Sequence, residues 1–184
     1  MTYEMTIAGC KRALPLCHVN DDLMIGAFVI FGDVELTCAC ADALLKIVPD
    51  FDYMVAPEAK AIPLVHEMAR QSGRNDYMLV RKAQKLYMNG VFKTEVRSIT
   101  TANVQKLYMD GADAAKLNGK RVLILDDVIS TGESIAAVED LVKKAGGIVV
   151  GRAAILAEGE AAERHDIVYL EKLPLFDGNG NRIS

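Results

Sequence analysis

VLILDDVISTGES, residues 122 to 134, is the stretch on which the fold turns. Its apolar run, Arg121 to Leu125 with Val122 leading, is the continuous pattern of a strand buried on both faces, the kind found in parallel sheets. Two adjacent carboxylates follow, Asp126 and Asp127. After them a Thr-Gly turn leads into a helix predicted over Ser134 to Ala145, with Ile135, Val138, Leu141 and Val142 inward and Gly146-Gly147 as its stop. In an open α/β sheet the ligand crevice lies at the carboxyl ends of the strands, where this turn falls. The backbone N–H groups of Ser130, Thr131, Gly132, Glu133 and Ser134, reinforced by the helix dipole and the Thr131 and Ser134 hydroxyls, would cradle a phosphate dianion. Gly132 lets the backbone approach that closely. Asp126 and Asp127 repel a phosphate, so the pair needs another partner, either paired sugar hydroxyls or a hydrated Mg ion. Sugar and phosphate together point to a ribose 5-phosphate.

Outward from this stretch, strand and helix patterns alternate. Ile148 to Leu156 reads as the next strand. Upstream, Asp33 is an N-cap for a helix to about Lys46 with Leu36, Cys40, Ala43, Leu44 and Ile47 on its apolar face. Phe51 to Ala56 is a buried strand, followed by a helix opening at Ile62-Pro63 and ending at Gly73. Tyr77 to Arg81 is a further strand, Lys82 to Asn89 is basic and irregular, and Val91 to Ser98 with Gln105 to Met109 form a hairpin joined around Thr100 to Asn103. The alternation predicts an α/β fold, a central parallel sheet with helices on both faces.

The chain has 184 residues, 51% hydrophobic and 25% charged, with a formal net charge of -4. That composition fits one folded domain and excludes disordered, collagenous and low-complexity classes. No apolar run approaches the roughly 20 residues that span a bilayer, and no signal-peptide pattern opens the chain, so a cytoplasmic protein with no membrane partner is expected. The acidic balance argues against nucleic acid as a partner. Cys10, Cys17, Cys38 and Cys40 lack zinc-ligand spacing and read as reduced thiols.

The stretch from Val122 to Ser134 resembles the phosphoribosyl pyrophosphate signature of the type I phosphoribosyltransferases: four apolar residues, two acids and a TGxS/T loop. An unrelated phosphate turn and an aspartyl-phosphate receiver are the alternatives to that resemblance. FDYMVAPEAKAIPLVHEMA (Phe51 to Ala69) resembles the first pyrophosphate loop of the purine branch, and RKAQKLYM (Arg81 to Met88) the start of the mobile flap of its adenine members, with Tyr87-Met88 in place of Pro-Gly. KRALPLCHVNDD (Lys11 to Asp22) is similar to the hood over the base, and ILAEGEAAER (Ile155 to Arg164) to the far wall of the base pocket.

The resemblance implies the family fold, with a small hood over about residues 8–30, a core over about 31–176 and a flexible flap. It implies that Asp126 and Asp127 hold the ribose hydroxyls and, indirectly, Mg, and that residues 130–134 hold the 5-phosphate. Glu58, Ala59, Lys60, Arg81, Lys82 and Lys85 would serve the pyrophosphate, with Lys82 also catalytic and a cis peptide near Glu58-Ala59. Leu14, Pro15 and Leu16 would sandwich a purine against Val128 and Ile129, with Glu158 accepting a hydrogen bond from an exocyclic amine. The implied reaction joins a purine, adenine favoured, to phosphoribosyl pyrophosphate, giving a nucleoside monophosphate in purine salvage, in a homodimer. Two departures leave the base open: the flap Glu of adenine members is absent from Arg97 to Ala102, and Glu158-Gly159 stands where xanthine members place a Lys. The alternatives are a phosphoribosyltransferase for xanthine or another base, and a non-catalytic sensor of phosphoribosyl pyrophosphate.

Overall fold

Three strands begin the computed structural model, which describes residues 1–97 and 104–183: β1 (Thr2–Ile7), β2 (Cys10–His18) and β3 (Leu23–Gly26). Then come α1 (Val34–Leu45), β4 (Tyr53–Pro57), α2 (Ile62–Gln71), β5 (Met78–Val80), β6 (Phe92–Arg97), β7 (Val104–Met109), α3 (Gly111–Leu117) and β8 (Arg121–Ile129). The chain continues through α4 (Glu133–Lys144), β9 (Ile148–Glu158), a 3-10 turn (Gly159–Glu163), β10 (Val168–Leu173) and β11 (Leu175–Asp177).

Among the described residues the central sheet has the order β10-β9-β8-β4-β5, all pairs parallel. Side chains alternate across each strand, so every strand feeds two cores. On one face Met54, Leu123, Leu125 and Ile155 pack with Leu36 and Leu44 of α1 and Leu64 and Met68 of α2. On the other, Val55, Val122, Ile124 and Ala154 meet Leu117 of α3 and Ile135, Val138 and Leu141 of α4. Each fully buried aliphatic side chain contributes about 1.5–3 kcal/mol relative to exposure, so β8, with four in succession, dominates the sheet.

From β4 the chain moves outward to β5 and then back past it to β8. The switch point therefore lies between β4 and β8, and the crevice that opens there is where such sheets take ligands. The hairpin β6–β7 stands apart from the sheet. It is moored to α4 by the Thr94 hydroxyl, which donates to the Asp140 carboxylate. Its expected turn, Thr100 to Asn103, lies outside the described residues.

The N-terminal hood is an antiparallel sheet, β1-β2-β3-β11, whose fourth strand comes from far downstream. Ala8 (φ 47°) and Gly9 (φ 83°) form the two-residue turn between Ile7 and Cys10, the left-handed geometry that matches hairpin twist. Arg12 on β2 ties this sheet to α1. Its Nε and Nη2 donate to the Asp33 carboxylate at 2.6 and 2.9 Å, and the same carboxylate accepts from the Leu36 amide as the helix N-cap.

Three expectations are corrected. The strand begun at Arg121 runs to Ile129, which puts Asp126 and Asp127 inside β8 rather than beyond it. The α1 helix ends at Leu45, so Ile47 leaves the apolar stripe and is 51% exposed. Helix α4 starts at Glu133, directly on Gly132. No helix among the described residues is long and apolar enough to cross a membrane.

Candidate active site

The loops after β4 and β8 face each other across the switch point. Gly132 takes φ +80° and serves as the N-cap of α4, so the chain turns sharply from the end of β8 into the helix. Ser130, Thr131 and Ser134 are exposed and accessible to a ligand, and the Thr131 hydroxyl accepts from the Glu133 amide at 3.4 Å.

Asp127 is only 2% exposed, and its Oδ2 has no hydrogen-bond donor among the described residues. Lys60 Nζ lies 3.0 Å from that oxygen, an ion pair at an angle outside hydrogen-bond geometry. A buried carboxylate with a single flexible counter-charge is poised to take another cationic or hydroxylic partner. Asp126 accepts the Asp127 amide at 2.9 Å. Burial, then the Asp127 charge, pushes the Asp126 carboxyl well above its ordinary range, with Lys60 opposing.

On the β4 side the Glu58–Ala59 peptide bond is cis, as the resemblance implies. Glu58 gathers the flap start: its Oε1 accepts the Lys82 amide at 2.7 Å, and its Oε2 accepts Arg81 Nη1 at 3.0 Å. Burial opposes ionisation of Glu58, but the Lys82 amide and the Arg81 guanidinium outweigh it and hold the carboxyl below its usual value. Arg81 also exchanges backbone hydrogen bonds with Tyr108 of β7, both 2.8 Å, and its Nη2 donates to the Tyr87 hydroxyl at 3.1 Å. The Lys85 charge reaches Glu58 as well, while the side chain of Lys82 is exposed. Lys60 thus reaches toward β8 and the Arg81 cluster gathers on Glu58 at the end of β4, with Ala59 exposed between Glu58 and Lys60.

At the far side, burial raises the Glu158 carboxyl while the nearby Lys60 charge lowers it. The expected apolar sandwich is not brought together. Leu14 is buried in the α1/α2 core, Pro15 is exposed and Leu16 half-buried, because the three sit in β2 and alternate. For the same reason Val128 packs with the α1/α2 core while Ile129 is buried in the α3/α4 core. Pro15 is exposed and Leu16 and Val128 keep part of their surface accessible, while Leu14 and Ile129 are fully occupied in packing.

Residues 35–177 match the phosphoribosyl transferase domain family. The chain belongs to that family. A phosphoribosyl transferase domain also accounts for the β4–β8 crevice as the place where the two loops meet. The chain is 36% identical over 113 residues to an adenine phosphoribosyltransferase of Bifidobacterium longum, covering 61% of this chain and 55% of that protein. It is 29% identical over 125 residues to an orotate phosphoribosyltransferase of Methanopyrus kandleri, covering 68% and 57%. The chain spans under two thirds of the length of these curated relatives. The crystal structure of adenine phosphoribosyltransferase from Thermoanaerobacter pseudethanolicus superposes with a TM-score of 0.65 at 26% identity, over 78% of this chain and 84% of that one.

Sequence reasoning missed Tyr87 and Arg164 as participants. Tyr87 looked like a mere replacement of Pro, and no local spacing announces that its hydroxyl meets Arg81. Arg164 meets the Gly132 turn only because the 3-10 turn after β9 folds back over α4. Such a contact has no sequence signature.

Proposed function

We propose that this domain transfers the phosphoribosyl group of 5-phosphoribosyl 1-pyrophosphate to adenine, giving AMP and pyrophosphate. The observation that carries the reading is the switch-point crevice, where Lys60 reaches the buried Asp127 beside the Gly132 turn. A base nitrogen displaces pyrophosphate from ribose C1 through an oxocarbenium-like state; the donor is already activated, so the protein has mainly to position both partners and exclude water. Asp126 and Asp127 orient the ribose hydroxyls, amides 130–134 hold the 5-phosphate, and Lys60, Arg81, Lys82 and Lys85 bind the leaving pyrophosphate.

Among the described residues no cluster of three or more metal-ligating side chains exists, so a cation here would share its coordination with substrate oxygens. That suits Mg, which keeps few protein ligands, and the undonated Oδ2 of Asp127 is a hard oxygen of the right kind. Asp126 and Asp127 are the residues that would hold it, and bound there it would neutralise charge on the pyrophosphate.

Leu16, Val128 and Glu158 are assigned to the base, the carboxylate favouring an exocyclic amine over a carbonyl, while Pro15 lies on the opposite face of β2. The adenine relative supports that choice, while the orotate relative keeps a second base in view. A homodimer is part of the proposal, supported by exposed Val29, Phe31 and Val34 beside the hood. A cytoplasmic setting, with no nucleic acid or membrane partner, completes it.

A panel of adenine, guanine, hypoxanthine, xanthine, orotate and uracil with phosphoribosyl pyrophosphate and Mg, read by mass, tests the reading. AMP from adenine alone is expected, reduced at least about 100-fold by Asp126→Asn with Asp127→Asn. Turnover of another base instead would reassign the substrate, and tight donor binding without turnover of any base would replace the enzyme with a sensor.

A further inference from the structure

The 3-10 turn Gly159–Glu163 brings Arg164 back over the start of α4. Its Nε and Nη2 donate to the two oxygens of Asp166 at 2.9 and 2.7 Å, a fork that fixes the guanidinium plane. The remaining nitrogen, Nη1, is aimed at Gly132. A Cβ built on Gly132 would collide with Nη1 and would lie 3.4 Å from Cζ. Gly132 is required by its left-handed φ, and the arginine head occupies the place a side chain would take. A shallow cavity beside this contact is lined by Thr131, Glu133, Glu139 and Arg152 together with Ile135 and Ala136, so Arg164 is one wall of a mixed polar and apolar surface behind the turn.

We infer that Arg164, held by Asp166, is a positioning residue for the 5-phosphate loop. The inference rests on the proposed reading of residues 130–134. An exposed turn of Ser, Thr and Gly loses conformational entropy when it orders around an anion, and a rigid guanidinium against its pivot reduces that loss before the ligand arrives. Lys cannot reproduce the arrangement, because one ammonium cannot hold the two-oxygen fork and touch Gly132 at once. Asp166 acts only through Arg164.

The test is calorimetric titration of ribose 5-phosphate and, separately, of pyrophosphate with Mg, into the unaltered protein and into Arg164→Ala, Arg164→Lys, Asp166→Asn and the Arg164→Ala/Asp166→Asn pair. Arg164→Ala is expected to weaken ribose 5-phosphate about tenfold, with Lys giving little rescue, while pyrophosphate binding stays within about twofold. Asp166→Asn is expected to weaken ribose 5-phosphate by itself but to add nothing in the Arg164→Ala background. Unchanged ribose 5-phosphate binding in Arg164→Ala overturns the inference, as does equal loss of both ligands, which would mark a general folding defect. If the unaltered protein binds no ribose 5-phosphate, the reading of the loop fails and this inference with it.

Discussion

Asp126 shows how a residue can serve the site at the expense of the fold. Its carboxyl is raised above the ordinary value by burial first and by the Asp127 charge second, so the folded chain holds that proton more tightly than the unfolded chain. Stability contributed in this way is full below the unfolded value and declines as pH rises toward the folded one. Asp126→Asn removes the cost while keeping the shape. Its melting temperature should exceed that of the unaltered protein by about 2–4 °C near pH 8 and match it near pH 4, as read by calorimetry. An equal shift at both pH values would contradict this account. At this scale the acids and the loop at 130–134 were legible in the sequence, because strand, turn and helix signals abut there without a gap. The base wall was not: neighbours in a strand point apart, which sends Leu14 and Ile129 into packing, and only the strand assignment of β2 and the full length of β8 make that visible.

Elements show the same division between local and distant causes. Helices α1, α2 and α4 follow from caps and apolar period, and each begins within a residue of its expected start. The hood strands β1 to β3 are poorly announced by the sequence, since an Ala8-Gly9 turn is a faint hairpin signal and the outer edge of β3 finds its partner only in β11. The joint between hood and core is Asp33, whose carboxyl is held low by Arg12 first, against burial, with the Leu36 amide assisting. Asp33→Ala should cost about 1–2 kcal/mol of unfolding free energy in urea, more than a lone cap of ~1 kcal/mol, because Arg12 loses its partner too. A double variant, Arg12→Ala with Asp33→Ala, that loses no more than Asp33→Ala alone would be the sign that the two act as one unit. On the far side of the molecule, the Thr94 to Asp140 bond joins the β6–β7 hairpin to α4, the helix that follows the Gly132 turn. Thr94→Val should speed amide exchange in β6 without altering exchange in β8.

For the molecule as a whole, the alternation of strand and helix predicted a parallel sheet, but not its order, because nothing in a strand's own residues says which side of its predecessor it joins. The reversal that sets β4 beside β8 brings Lys60 to Asp127 across 67 positions of chain. The hood depends on a longer reach still, from Leu175 back to Ile25. Phe176, 3% exposed and edge-on to Tyr3 at 5.1 Å, is the anchor of that closure. Phe176→Ala should lower stability by about 3–5 kcal/mol, and amide exchange should rise first in β3 and the paired end of β2 rather than in the central sheet. Uniform loss of protection would mean that hood and core unfold together.

That late strand also orders events during synthesis. The first strands leave the ribosome early, yet their edge has no partner until β11 is made, so β3 waits as an open template for pairing with other chains while the central sheet assembles. The nascent chain thus completes the Gly132 turn well before it completes the hood sheet, and a chaperone that shields the edge of β3 would act where the chain is most exposed to aggregation.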